Sequence, residues 1–143
     1  FVGMWALVIY DNTSHELFLS RDRYGIKPLY YWFSPTGDLY FASEIKQFTV
    51  VYDWQAKINP QRVYDYLLYS FTDHTDETMF KGVFQLPSGS FFKSNIDKIK
   101  PDHTGRLLHK KWYKLKRDPF KGSFNEAVEV FREYFKPPSH KIS

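Results

Sequence analysis

The sequence has 143 residues and a formal net charge of +4, a length that corresponds to a single domain. Its hydrophobic content of 43% excludes a disordered tail, and no run of about 18 apolar residues predicts a membrane helix. The absence of cysteine excludes disulfides, thiolate metal sites and a cysteine nucleophile built from these residues. The excess of 20 basic over 16 acidic residues is too small to indicate a dedicated nucleic-acid-binding protein.

Four apolar segments near the start of the chain predict two β-hairpins. Residues 3–10 carry apolar side chains on both alternating faces, so this strand needs cover above and below. Turn-forming residues separate it from a strand at 17–22, and a second hairpin is expected across 28–33 and 38–43. Four consecutive strands imply one antiparallel sheet, and with the helices that follow, the predicted fold class is α+β.

Two helices are predicted in the middle of the chain. A short one follows Ser43, which we interpret as its N-cap. A longer one begins after Asn59, with Pro60 at its first position. Its apolar stripe consists of Val63, Leu67, Leu68 and Phe71.

A third helix is predicted near the end of the chain. Ser123 and Glu126 have the spacing of a capping box, and Pro137 and Pro138 are expected to end the helix. The apolar residues that recur at helical spacing are Phe124, Ala127, Val128, Phe131 and Phe135.

The turn between the two predicted hairpins, "SRDRYGIKP", raises the question of a catalytic loop. Arg21, Asp22 and Arg23 could form a substrate clamp, because arginine offers paired N–H donors to a carboxylate. The favoured interpretation is a scaffold, in which Arg21 and Asp22 hold the turn by charge-assisted hydrogen bonds and Gly25 adopts a positive φ. Lys27 and Pro28 complete the motif.

Three other patterns resemble functional sites but have simpler interpretations. Ser43 and Glu44 could act as nucleophile and base, but no histidine stands in a matching motif. The acidic run 73–77 lacks the glycine and spacing of a calcium loop, so a solvated loop is expected. The basic, aromatic segment 109–117 could contact phosphates and bases, but a solvated edge strand explains it more simply.

Several segments in order resemble one enzyme family. They are "GMWALVIYD", "LFLSRDRYGIKPLYYWF", "LYFASEIKQF" and "ETMFKGVFQLPSG", followed by "WYKL" and "FNEAVEVFREYF". Together they are similar to the second half of the glutamine amidotransferase domain of glutamine-hydrolysing asparagine synthetases, running into the synthetase domain. The resemblance implies an N-terminal-nucleophile-type sandwich of antiparallel sheets and helices, followed by a linker and one helix.

This resemblance implies three units and a fragment of a longer enzyme. Residues 1–92 would form the second half of the amidotransferase domain, 93–122 the linker or connecting strand, and 123–143 the truncated first synthetase helix. In the family, an N-terminal cysteine releases ammonia from glutamine, and ATP with Mg²⁺ activates aspartate. Residue 1 here is Phe, and neither the cysteine nor the nucleotide loop is present. The resemblance therefore implies no catalytic, cofactor-binding or metal-binding residue in this chain, which alone is expected to be inactive.

The implied partners are glutamine and aspartate, with a homodimer as a possibility and no nucleic acid or membrane, in a cytoplasmic setting. Two alternatives remain open at this point. One is a related amidotransferase that acts on another carboxylate substrate. The other is a non-catalytic binding domain that uses the basic, aromatic strand.

Overall fold

The fold is a pair of antiparallel sheets with two peripheral α-helices, seen in a computed structural model that describes residues 2–136. The elements in chain order are β1 (Ala6–Asp11), β2 (Glu16–Arg21), β3 (Tyr30–Phe33), β4 (Leu39–Ala42), α1 (Pro60–Tyr69), β5 (Val83–Gln85), β6 (Ser90–Asn95), β7 (Lys110–Lys111) and α2 (Phe124–Phe135). Short 3₁₀ helices occupy Ile45–Val50 and Ile96–Lys98. The predicted α+β class is confirmed.

The two predicted hairpins form, but they lie in different sheets. The first sheet has the order β1-β2-β6-β7 and the second has the order β4-β3-β5. The expectation of one sheet from four consecutive strands was wrong, because the turn after Arg21 carries the chain to the other sheet. A sandwich of this kind is consistent with the N-terminal-nucleophile-type architecture.

The main core lies between the two sheets. Alternate side chains of β1, β2 and β6 meet alternate side chains of β3 and β5, which is the packing expected of a sandwich. Its buried members are Leu17, Leu19, Leu29, Tyr31, Phe84, Leu86, Phe92 and Leu107, with Ala6 and Val8 packed against them.

The outer faces of the two sheets are covered differently. Trp32 and Val83 of the second sheet pack against Phe48 of the first 3₁₀ helix, which covers that face. On the first sheet, the outward side chains line a groove of about 360 Å³. The apolar members of this outer groove are Trp5, Leu7, Ile9, Phe18, Phe91 and Trp112. Strand β1 was predicted to be covered on both faces. It is covered by the core on one face only, and its other face lines the groove.

The first 3₁₀ helix is capped differently from the prediction. Its N-cap is Glu44, so the assignment of Ser43 was wrong by one position. The reason is Gln47, whose Oε1 accepts the backbone N–H groups of Ser43 and Glu44 at 3.1 Å each. The Gln47 side chain thus satisfies the backbone N–H groups at and before the N-cap, as the third residue of a capping box does.

Helix α1 begins as predicted, with Asn59 at the N-cap and Pro60 at the first position. Its apolar stripe is not part of the core, because Leu67 is 73% exposed and Phe71 lies beyond the helix end. The buried side chain of α1 is instead Asp65. Among the described residues, no helix is long and apolar enough to cross a membrane.

Helix α2 has the predicted capping box, in which the Ser123 hydroxyl accepts from Glu126 N–H and the Glu126 carboxylate accepts from Ser123 N–H. Its C-cap is Lys136, and the expected stop at Pro137 and Pro138 lies outside the described residues. Its apolar side chains are largely exposed, as Phe124 shows with 82% exposure.

The basic, aromatic segment forms less strand than predicted. Only Lys110 and Lys111 pair with β6, because the next two residues leave the strand, where Trp112 stacks on Trp5 and Tyr113 packs against Tyr24. Strand β6 continues across residues 92 and 93, where the sequence predicted one unit to end.

Candidate functional site

The Arg21 turn, defined here as residues 21–28, joins the two sheets through a buried guanidinium. Arg21 Nε donates to the Lys27 carbonyl at 2.9 Å, and Nη2 donates to the Gly25 carbonyl at 2.7 Å. Nη1 donates to the Gln85 side chain at 3.0 Å and to the Leu86 carbonyl at 2.7 Å. Arg21 therefore holds both its own turn and the end of β5.

Asp22 organises the backbone of the same turn. Its carboxylate, which is 1% exposed, accepts the backbone N–H groups of Tyr24, Ile26 and Lys27 at 3.0 to 3.1 Å. Burial alone would raise the pKa of Asp22, but these N–H donors stabilise the charged form and the net shift of its pKa is downward. Asp22 is thus held as a carboxylate by the turn that it closes.

Gly25 has the positive φ that the sequence predicts, at +68°. A β-carbon at this position would lie 3.0 Å from the Arg21 guanidinium carbon. The turn therefore needs glycine both for its left-handed backbone and for the close approach of Arg21.

The sequence did not predict two partners of this turn, Gly89 and Trp112, which lie far along the chain. The Asp22 carbonyl accepts from Gly89 N–H at 2.7 Å, and the Arg21 carbonyl accepts from Trp112 Nε1 at 3.2 Å. The Trp112 ring stacks on Trp5 with centroids 5.5 Å apart. No local sequence pattern predicts these pairs, because their members lie tens of residues apart. The only sequence feature that indicates a close backbone contact is Gly89, the glycine of "LPSG".

A polar cavity of about 440 Å³ opens beside the turn. Arg21 forms part of its wall, and the titratable side chains around it include Asp73, His74, Asp76, His109 and Lys111. Burial lowers the pKa of Arg21, partly offset by Tyr30, Asp22 and Asp73. We call this space the turn cavity.

The structure does not bring Ser43 and Glu44 to this place. Both residues are exposed, neither lines the turn cavity, and Glu44 pairs with Lys46 at 2.6 Å. Within residues 2–136 the Ser43 hydroxyl makes no hydrogen bond to a histidine, so no nucleophile and base pair forms there.

The acidic run is more structured than the predicted solvated loop. Asp76 and Glu77 both pair with Arg106, and Glu77 also lies 3.4 Å from Arg62 Nε. These two residues lie outside the helices and strands as predicted, but they are half-buried and paired with distant arginines, so the expectation of solvation was wrong for them. Among the described residues, no group of histidine and carboxylate side chains has the arrangement of a metal site.

The aromatic rings of the basic segment contact the chain itself. Tyr113 packs edge-on against Tyr24, and Arg23 lies over the Tyr113 ring at 5.5 Å. The Tyr113 ring is therefore engaged with Tyr24 and Arg23 of the same chain.

Comparison with known proteins shows the family of this chain. Residues 1–106 match the family model described as a glutamine amidotransferase domain. A glutamine-hydrolysing asparagine synthetase of Bacillus subtilis, number 1, is 30% identical over 92% of this chain and 19% of its own length. A putative asparagine synthetase of Methanocaldococcus jannaschii is 33% identical over 68% of this chain and 19% of its own length.

The chain therefore spans about a fifth of the length of these relatives. Asparagine synthetase B of Escherichia coli is 43% identical over a shorter stretch, 31% of this chain. The match covers both sheets up to the Arg106 region, including the whole Arg21 turn. This chain belongs to the glutamine amidotransferase domain family.

Proposed function

We propose that this chain is a structural part of an enzyme that amidates aspartate with ammonia from glutamine in an ATP-dependent reaction. The observation that carries the proposal is the family match over residues 1–106, which contains the Arg21 turn. In this proposal glutamine and aspartate are the substrates of the complete enzyme, and a homodimer is its assembly.

The Arg21 turn has the role of a scaffold in this proposal. Arg21 and Asp22 form most of their hydrogen bonds with the backbone of residues 24–28 and with the end of β5. Groups held in this way fix the spacing of the two sheets. The turn thereby supports a catalytic centre made by other residues.

The 143 residues alone should release no ammonia from glutamine. They contain no cysteine, and a serine without a base is a weak nucleophile. ATP and Mg²⁺ belong to the complete enzyme in this proposal. The described residues do not fit a magnesium site, since no suitable carboxylate group is assembled, so no step is assigned to the ion here.

We further propose the division of the chain into an amidotransferase part at 1–92, a connecting part at 93–122 and a synthetase part from 123. Helix α2 supports the last boundary, because its first turn is capped independently by Ser123 and Glu126.

Complementation tests the proposal. The chain is co-produced with the N-terminal amidotransferase segment of the Bacillus subtilis relative, which is taken to begin with the catalytic cysteine, and ammonia release from glutamine is measured. We expect activity from the pair and none from either segment alone. A matched control replaces that cysteine with alanine and should abolish the signal.

Two results would contradict the proposal. The first is glutamine hydrolysis by the purified 143-residue chain that persists after repeated purification. The second is a stable, co-purifying pair without any hydrolysis, since the scaffold role requires that assembly completes the site.

A further inference from the structure

The turn cavity contains a buried cation whose charge has no direct counter-ion. Arg21 is 8% exposed, and within residues 2–136 no Asp or Glu side chain forms an ion pair with it. Its acceptors are three backbone carbonyls and the neutral amide of Gln85. Because a buried charge is costly unless it is paired, an anion that reaches this guanidinium gains a strong interaction.

The guanidinium has a donor left for such an anion. Nη2 donates one N–H to the Gly25 carbonyl, and its second N–H has no acceptor among the described residues. Because Arg21 lines the cavity, a ligand oxygen there can approach this end of the side chain. Gly25 contributes by leaving the space that a β-carbon would occupy 3.0 Å from the guanidinium.

Two further side chains around the cavity carry charges that the described part of the chain does not pair. Lys111 is exposed and forms no ion pair there, and Asp73 receives only a long hydrogen bond of 3.4 Å from Thr72. The other carboxylate, Asp76, is already bound by both Nε and Nη2 of Arg106. The unpaired groups are therefore two cations and one anion.

This charge pattern favours a ligand that carries both signs. A dianion such as phosphate would be repelled by Asp73, and a simple cation would be repelled by Arg21 and Lys111. A volume of about 440 Å³ is within the range of small-molecule sites. We propose that the turn cavity binds an α-amino acid as a zwitterion, with its carboxylate on Arg21 and Lys111 and its ammonium group on Asp73.

This proposal depends on the geometry of the turn cavity alone. It holds whether or not the complete enzyme hydrolyses glutamine, so the two proposals fail independently. For that reason the probe is L-alanine, which is not a substrate in the proposed function. Propionate lacks its ammonium group, and ethylamine lacks its carboxylate.

The test is a nuclear magnetic resonance titration with each probe, using the 143-residue chain that carries Ile9→Ser, a substitution in the outer groove that limits self-association and does not touch the turn cavity. We expect L-alanine to shift the side-chain N–H signals of Arg21 and the backbone signals of residues 73–76 in a saturable way. Propionate should bind about fivefold more weakly, the loss expected for one exposed ion pair, and ethylamine should cause no saturable shift.

Matched variants locate the site. Lys111→Met and Asp73→Asn should each weaken L-alanine binding about fivefold. Lys110→Met removes the same charge from the adjacent strand residue, which does not line the cavity, and should leave binding unchanged. Asp97→Asn is the corresponding control for the carboxylate. All four positions are exposed, so their backbone spectra should show that the fold is retained.

Three results would overturn the proposal. One is the absence of a saturable shift at Arg21 in a chain whose spectrum shows folded sheets. Another is L-alanine binding that is unaffected by both Lys111→Met and Asp73→Asn. The third is propionate or inorganic phosphate binding at least as tightly as L-alanine, which would indicate a plain anion site.

Discussion

Arg106 and Asp76 form a two-point ion pair, with Nε 2.8 Å from Oδ2 and Nη2 3.1 Å from Oδ1. The same guanidinium carbon lies 4.8 Å from the centroid of the Phe84 ring. The pair joins the acidic run to the turn at 102–106, two segments about which the sequence pattern gave no pairing information. The Asp76 carboxylate raises the pKa of Arg106 further above its ordinary value.

The ion pair leads to the first prediction, a double-mutant cycle with Asp76→Ala and Arg106→Ala. We expect a coupling of about 1–3 kcal/mol in the free energy of unfolding, because the pair is two-point and partly buried. The exposed pair Glu129 and Arg132 is the control and should couple by about 0.5 kcal/mol or less. Denaturant unfolding of both cycles measures the difference, and equal couplings would show that the Arg106 pair is an ordinary surface contact.

The second prediction concerns Gly25→Ala. The positive φ at Gly25 costs an alanine about 1–3 kcal/mol, and its β-carbon would also displace Arg21. Gly37 is the matched control, since it has φ +92° with nothing within 4 Å of a β-carbon. Gly25→Ala should therefore destabilise the chain by at least about 1 kcal/mol more than Gly37→Ala. Identical unfolding midpoints for the two variants would contradict the role of Gly25 in seating Arg21.

These two glycines also show how far the sequence could predict the structure. Turn composition was sufficient for the hairpins, for the positive φ at Gly25 and for the caps at Asn59 and Ser123, because each depends on neighbours in the chain. The split into two sheets depends on pairing between β2 and β6, some seventy residues apart, and no periodicity encodes that choice.

The turn cavity illustrates the same limit at the level of function. The sequence singled out Arg21 and Asp22 but not Lys111 or Asp73 as members of one site. Charge type is visible in a sequence, whereas the absence of a counter-ion is a property of packing. The exposed stripe of α1 shows the same limit, since helical spacing predicts an apolar face but not what covers it.

The third prediction is that Tyr31→Phe destabilises the chain by about 1–3 kcal/mol, because the buried Leu107 N–H donates to the Tyr31 hydroxyl at 3.3 Å and would lose its acceptor. Tyr40→Phe is the control, as its hydroxyl makes no hydrogen bond within the described residues.

Burial raises the pKa of Tyr31 to about 12 from 10.0. The folded state therefore loses stability as pH rises above about 10, and Tyr31→Phe should reduce that loss. Denaturant unfolding at several pH values measures this effect. If Tyr31→Phe loses as much stability above pH 10 as the original chain, the prediction is wrong.

The fourth prediction concerns acid. The Thr104 hydroxyl and the Arg106 backbone N–H lower the pKa of Asp102 from 3.8 to about 2. A depressed pKa in the folded state gives stability that is present above pH 4 and is lost as pH falls toward 2. Asp102→Asn should flatten this part of the curve of stability against pH. Asp97→Asn is the control, and the idea fails if both variants follow the original curve.

The fifth prediction concerns the outer groove of the first sheet. Ile9 is 53% exposed there beside Phe18 and Phe91, and an apolar surface of this kind promotes association. We expect the chain alone to self-associate and Ile9→Ser to lower its average mass in solution. Tyr52→Ser removes a 99% exposed ring outside the groove and should have no such effect. Light scattering measures the average mass of the chain and of both variants in solution. A monodisperse monomer of the original chain would refute the prediction.

The pairing of the Arg21 carbonyl with Trp112 Nε1 has a consequence for the order of events in folding. The two residues are separated by 91 positions, so a ribosome must make most of the chain before this contact can form. Until then β1 and β2 can pair with each other, but the contact between the Arg21 carbonyl and Trp112 is missing. Contacts so distant in sequence carry a large loop-closure cost and slow the search for the native arrangement. The nascent chain should therefore acquire protected amides in β1 and β2 late, after residue 112 has emerged.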